Sequence, residues 1–234
     1  IVMRYSIPKT GAFIDIDMRI FWAERARMLK LEIPCAFTAE RYIGDGVFGF
    51  DNLKTDGTEC AAQKWVRAEN SSAALAVLNR GTYGSDFRAN AIRITVLRSP
   101  MYAGHPLRGA LAAPDDRYMP HSDMGERSVS FRLLFGSADE LAGRIAREAL
   151  AYNEQPYLLS FFPSGNGDAR LPFLSMQGDG VIMSSIRPAA AGNSLNIRLV
   201  EMTGQERSIV LSIPNRKIER TIAFKPHEIK SIEI

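Results

Sequence analysis

The sequence predicts a mainly β protein, a large antiparallel β-sandwich with one connecting helix, and three observations carry that prediction. Apolar residues recur with period two in several segments, reversal-favouring dipeptides separate those segments, and a single stretch has helical period. At 234 residues the chain is long enough to bury one large β domain or two smaller units.

Taken in order, Asp15 and Asp17 alternate along an extended stretch, which makes them solvated carboxylates by default. Ile92, Ile94 and Val96 alternate with Arg93 and Thr95, and Val129, Phe131, Leu133 and Phe135 with Ser130, Arg132 and Leu134, the pattern of half-buried strands. Between these two, residues 102–121 are rich in Gly, Pro and Asp and read as a long excursion. A helix is expected over about residues 138–152: Ser137 is placed to cap it, Glu140 holds the capping-box position, and Leu141, Ile145 and Ala149 form a narrow apolar stripe. Arg144, Arg147 and Glu148 solvate its other side, so the helix should lie across a sheet.

The second half reads as a meander of short strands. Ile209, Leu211 and Ile213 share one face, Ile218, Ile222 and Phe224 another, and Ile229, Ile232 and Ile234 close the chain. Turns are expected at Gly44-Asp45-Gly46, Gly165-Asn166-Gly167-Asp168, Gly178-Asp179-Gly180, Ala191-Gly192-Asn193 and Pro214-Asn215.

Composition excludes several classes of function. The chain is 46% hydrophobic and 24% charged, with no apolar run approaching the roughly 20 residues that span a bilayer. A net charge of +3 with scattered Lys and Arg gives no support for nucleic-acid binding. Cys35 and Cys60 are too few for a disulfide framework and are expected to be buried free thiols; with no targeting pattern, this leans toward a cytoplasmic protein. His105, His121 and His227 are far apart, so no metal site is expected from this chain alone. Asn70-Ser71-Ser72 fits a glycosylation sequon, read as chance. The chain begins at Ile1 in mixed sequence and looks like a piece of something longer.

No nucleophile with its base, P-loop or Rossmann fingerprint occurs, and Asp115-Asp116 sits in the long excursion. Two residues invite a binding role. Tyr83, between glycines in Gly81-Thr82-Tyr83-Gly84, could present its ring to a sugar face, or plug a strand end. Arg98 shares parity with Ile92, Ile94 and Val96, so it should emerge at the end of the core-facing row, where it could bind sugar hydroxyls or an adjoining domain's carboxylate. Trp65 is expected in the core.

Seven blocks follow one another along the chain: Met28-Leu-Lys-Leu-Glu-Ile-Pro34, Ala61-Ala-Gln-Lys-Trp-Val66, Leu78-Asn79 with Tyr83-Gly84, Leu97-Arg98-Ser99-Pro100, Ser122-Asp123-Met124-Gly125, Tyr152-Asn153-Glu154-Gln155-Pro156, and Ile197-Arg-Leu-Val-Glu201 with Thr203-Gly204. In that order they resemble the C-terminal region of glycoside hydrolase family 38, the retaining α-mannosidases. Arg127 stands where the family often has His, and Phe135-Gly136 where it often has Pro-His.

The resemblance implies that residues 1–234 are the noncatalytic C-terminal β-sandwich region, a supersandwich related to galactose mutarotase, with an internal subdivision near 153–157. It implies that the nucleophile, the acid/base and a catalytic zinc belong to an N-terminal barrel not in this chain. The implied partners are that barrel and an α-mannoside glycan, with a homo-oligomer allowed; Arg98 and Tyr83 would face the substrate cleft, with no catalytic or metal residues here. The rival readings are a stand-alone carbohydrate-binding or structural sandwich, and a mutarotase-like epimerase, which would need a His and a carboxylate facing one cleft.

Overall fold

The computed structural model describes residues 1–101, 120–160, 172–189 and 194–234. Among these the protein is mainly β with one α-helix, as the alternation predicts. Most of the 102–121 excursion, with His105 and Asp115-Asp116, lies outside the described residues, as do the turns at 165–168 and 191–193.

The described chain falls into two compact units, one formed by Ile1–Gly44 and Asn52–Ala138, the other by Asp45–Asp51 and Asp139–Ile234. In the first unit lie β1 (Val2–Ser6), β2 (Phe13–Trp22), β3 (Met28–Pro34), β6 (Cys60–Ala61), β7 (Trp65–Glu69), β8 (Ala74–Asn79), β9 (Gly84–Arg88), β10 (Ala91–Arg98) and β11 (Gly125–Gly136), and the hairpin of β4 (Arg41–Asp45) and β5 (Phe50–Asn52) starts and ends there. A seven-stranded sheet runs β1-β2-β11-β8-β7-β4-β5, and a four-stranded sheet β3-β10-β9-β6.

Period two explains why the sheets stack. On β2, Ile16, Met18 and Ile20 point inward while Asp15, Asp17 and Arg19 point out; the inward residues meet Ile33, Phe87, Ile92 and Ile94 of the smaller sheet in one apolar core. The Tyr42 and Phe87 rings stack across it at 5.2 Å. Asp15 and Asp17 are structural, Asp15 pairing bidentately with Arg132 at 2.7 and 2.9 Å and Asp17 accepting from Ser130 at 2.7 Å. Trp65 is buried.

The second unit holds α1 (Ala138–Asn153, entered from Ala138 of the first), β12 (Ser175–Gln177), β13 (Val181–Pro188), β14 (Leu195–Glu201), β15 (Arg207–Ile213), β16 (Ile218–Phe224) and β17 (Ile229–Glu233). The helix matches its expected bounds, and Ala146 packs on Val200 and Met202. Instead of one meander, the strands divide into sheets β12-β15-β16 and β13-β14-β17. Both donate to one core of Val181, Ile197, Leu199, Ile209, Leu211 and Phe224, so six short strands bury two apolar faces against each other. Among the described residues no helix is long and apolar enough to cross a membrane.

The cysteines are corrected by the structure. Cys35 and Cys60 are free, but each is half-buried, because both stand at the rim of the small sheet rather than inside the core. Burial nevertheless pushes the Cys35 thiol up.

Candidate functional site

Tyr83, just before β9, and Arg98, at the end of β10, line one open groove of about 390 Å³ in the first unit together with Glu59, Cys60, Thr95 and Asp123. Each arrives there by a distinct local device.

Tyr83 is delivered by a side-chain-built turn. Asn79 ends β8 and is buried; its Oδ1 accepts from the N–H groups of Gly81 and Thr82 at 3.1 Å each, and its Nδ2 donates to the Gln63 carbonyl at 2.8 Å. This is the hydrogen bonding that makes Asn a turn former. The carbonyl of Tyr83 is tied to the Ala62 N–H at 3.0 Å, and the residue is left 55% exposed.

Arg98 is delivered by a β-bulge. The pairing of β10 with β3 shifts between Thr95 and Leu97, so Thr95 stands opposite Lys30 and Arg98 opposite Met28. Lys30 and Met28 are two residues apart and share a face, which puts Arg98 on the outer face with Thr95, while Val96 and Leu97 are both buried. Parity placed Arg98 at the end of the core-facing row; one extra residue reverses that and leaves it exposed.

The backbone of Arg98 is held on both sides. Its N–H donates to Asp123 Oδ2 at 3.1 Å, and its carbonyl accepts from the Ser122 hydroxyl at 3.2 Å. Asp123 adopts left-handed backbone geometry at φ 52° and pairs with Arg127 at 2.9 Å. Next along the chain, Ser99 is fully buried, its hydroxyl donating to the Glu24 carbonyl at 2.6 Å and accepting from Trp22 Nε1 at 3.1 Å. His121 Nδ1 lies 2.9 Å from the Ser99 carbonyl oxygen, a role in holding backbone.

Glu59 is not singled out by the sequence, and Asp123 enters only as a member of the Ser122–Gly125 block. Glu59 precedes a two-residue strand in an irregular stretch, where periodicity says nothing; the available signal was Gly84, whose missing Cβ leaves the space Glu59 occupies.

Among the described residues no three His, Cys, Asp or Glu side chains come together as metal ligands. His227 stands in the second unit with its ring against Gly204 and edge-on to Phe50 at 5.4 Å. The sequon residue Asn70 spends its amide within the fold, Nδ2 donating to Thr38 at 2.9 Å and Oδ1 accepting from Ser72 and Ala73 at 2.9 and 2.8 Å.

Residues 1–117 match the profile of the glycosyl hydrolases family 38 C-terminal domain. Alpha-mannosidase 2C1 of Mus musculus is 26% identical over 206 residues, covering 82% of this chain and 18% of its own length. Alpha-mannosidase G of Dictyostelium discoideum is 21% identical over 223 residues, 89% of this chain and 19% of its own. The crystal structure of an alpha-mannosidase from Enterococcus faecalis V583 superposes with a TM-score of 0.76 at 14% identity over 98% of this chain and 28% of that one, a likeness of fold. The chain thus spans less than a fifth of its curated relatives and less than a third of the solved protein.

Proposed function

Because this chain belongs to the C-terminal domain family of glycosyl hydrolases family 38, we propose that residues 1–234 act as the noncatalytic C-terminal β-sandwich region of an α-mannosidase-like hydrolase. Its partner is an N-terminal catalytic barrel of the same polypeptide, which carries the zinc and the reacting carboxylates. The sandwich packs on that barrel and completes one wall of the active site, with Tyr83 and Arg98 turned to the α-mannoside. The two free thiols suit a reducing, cytoplasmic setting.

The observation that carries this reading is the groove itself. Blocks that resemble the family contribute to it: Asn79 shapes the turn under Tyr83, and Ser122 and Asp123 fix the backbone of Arg98. An exposed phenol ring beside a guanidinium suits a pyranose, whose C–H face stacks on an aromatic while its hydroxyls accept hydrogen bonds.

In the full-length enzyme, Arg98→Ala and Tyr83→Ala are each expected to raise KM for an α-linked mannobiose about tenfold, the size of one good polar or stacking contact. Unchanged KM in both variants, with the fold intact by circular dichroism, would remove the groove from the substrate cleft.

A further inference from the structure

The outer face of the four-stranded sheet, which walls this groove, carries a line of alternating charges. Arg93 Nε lies 3.8 Å from Glu32 and 3.5 Å from Asp86, and Lys30 Nζ bridges Asp86 and Glu59. The line runs Glu32, Arg93, Asp86, Lys30, Glu59. Its middle member is enclosed: the Asp86 side chain is 3% exposed, and its Oδ1 has no hydrogen bond. Desolvating a carboxylate this far costs more than an ordinary ion pair returns, so stability alone is a poor reason to keep it. What Asp86 does is immobilise Lys30, and Lys30 in turn immobilises Glu59.

Glu59 is the exposed end of that line. One carboxylate oxygen takes Lys30 Nζ, the other accepts the Thr95 hydroxyl, and the group rests over Gly84, where a Cβ would stand 2.8 Å from Oε1. Three partners therefore define one rotamer, while the side chain stays 42% exposed in the groove. Each carboxylate oxygen can accept a further hydrogen bond. The groove thus offers a fixed acceptor, a guanidinium donor at Arg98 and an exposed ring at Tyr83.

We propose that Glu59 is a further ligand-contacting residue of this groove, accepting a hydroxyl hydrogen from a neutral glycan to which Arg98 donates. The inference rests on the reading that the groove faces the glycan. The charge pattern selects a neutral polyol: an anionic ligand would meet Glu59 and Asp123, and a cationic one Arg98.

The test is steady-state kinetics of the full-length protein on an α-linked mannobiose, with Glu59→Gln, Glu59→Asp and Arg98→Ala compared with wild type, and melting temperatures measured alongside. Glu59→Gln preserves size and removes charge; Glu59→Asp keeps charge but withdraws the acceptor, so the pair separates binding from folding. The expected result is a KM rise of about tenfold in both Glu59 variants with kcat within about twofold. A KM rise for Arg98→Ala alone overturns the role of Glu59 and leaves the groove reading standing. A lowered melting temperature with unchanged KM makes Glu59 a structural group and overturns the proposal, and no KM change in any of these variants or in Tyr83→Ala overturns the groove reading as well.

Discussion

Glu201→Gln is expected to lower the stability of the second unit by about 2–4 kcal/mol, because a buried amide cannot replace a carboxylate that only accepts. Glu201 is fully buried at the end of β14. Its Oε1 accepts from the Thr203 N–H at 2.6 Å and from the Thr203 hydroxyl; its Oε2 accepts from Gly204 at 2.8 Å and His227 at 2.9 Å. Whichever way the glutamine is turned, its NH2 group faces N–H donors, and at least one backbone donor is orphaned. The neighbourhood is too tight to relax around it: Gly204 has φ +70°, and a Cβ there would stand 2.7 Å from His227 Nε2.

The same carboxylate makes the second unit acid-sensitive. Burial pushes the Glu201 carboxyl up, but hydrogen bonds from the Thr203 hydroxyl and from the backbone of His227, Thr203 and Gly204 outweigh it and leave it below its ordinary value. With the folded value below the unfolded one, the stabilisation is complete above the unfolded value of about 4.3 and is lost as pH falls through the folded value. Urea unfolding followed by circular dichroism from about pH 7 to pH 3 should therefore show stability falling in acid for wild type and a flatter dependence for Glu201→Gln. Parallel pH profiles would rule out this role.

Asp86→Ala is expected to cost the first unit about 2–4 kcal/mol, since it removes the shared counter-charge of two largely buried cations. Lys30 and Arg93 keep only 15% and 27% of their side chains exposed and would be left with the more solvated Glu59 and Glu32. Asp86→Asn, which preserves shape, should cost less. A shift in the urea midpoint worth under about 0.5 kcal/mol for Asp86→Ala would show that the line of charges contributes nothing to the fold.

The fold was legible where one face of a strand is apolar. Ile16, Met18 and Ile20, or Ile209, Leu211 and Ile213, announce strands because each sheet has one face in a core, and α1 was readable from its stripe and capping residues. Parity failed at the bulge between Thr95 and Leu97, because a single unpaired residue reverses every side chain beyond it and leaves no mark in composition. In β7, Arg67 and Glu69 are buried and paired at 2.8 Å, a mutual compensation visible only when both positions are seen in space.

The candidate groove was half legible. Tyr83 and Arg98 stood out by their setting, but Glu59 acts through Lys30, Thr95 and Gly84, which lie 25 to 36 positions away in sequence and meet only through sheet pairing. Glu201 was visible only as the end of a strand; the backbone donors around it come from a turn and from His227, 26 residues on.

The role proposed for this chain is to complete an active site housed elsewhere in the polypeptide. The most direct test is to measure p-nitrophenyl α-mannoside hydrolysis and bound zinc for residues 1–234 and for the full-length protein, side by side. Hydrolysis and zinc in the full-length protein alone are the predicted result, and hydrolysis by residues 1–234 on their own would contradict it.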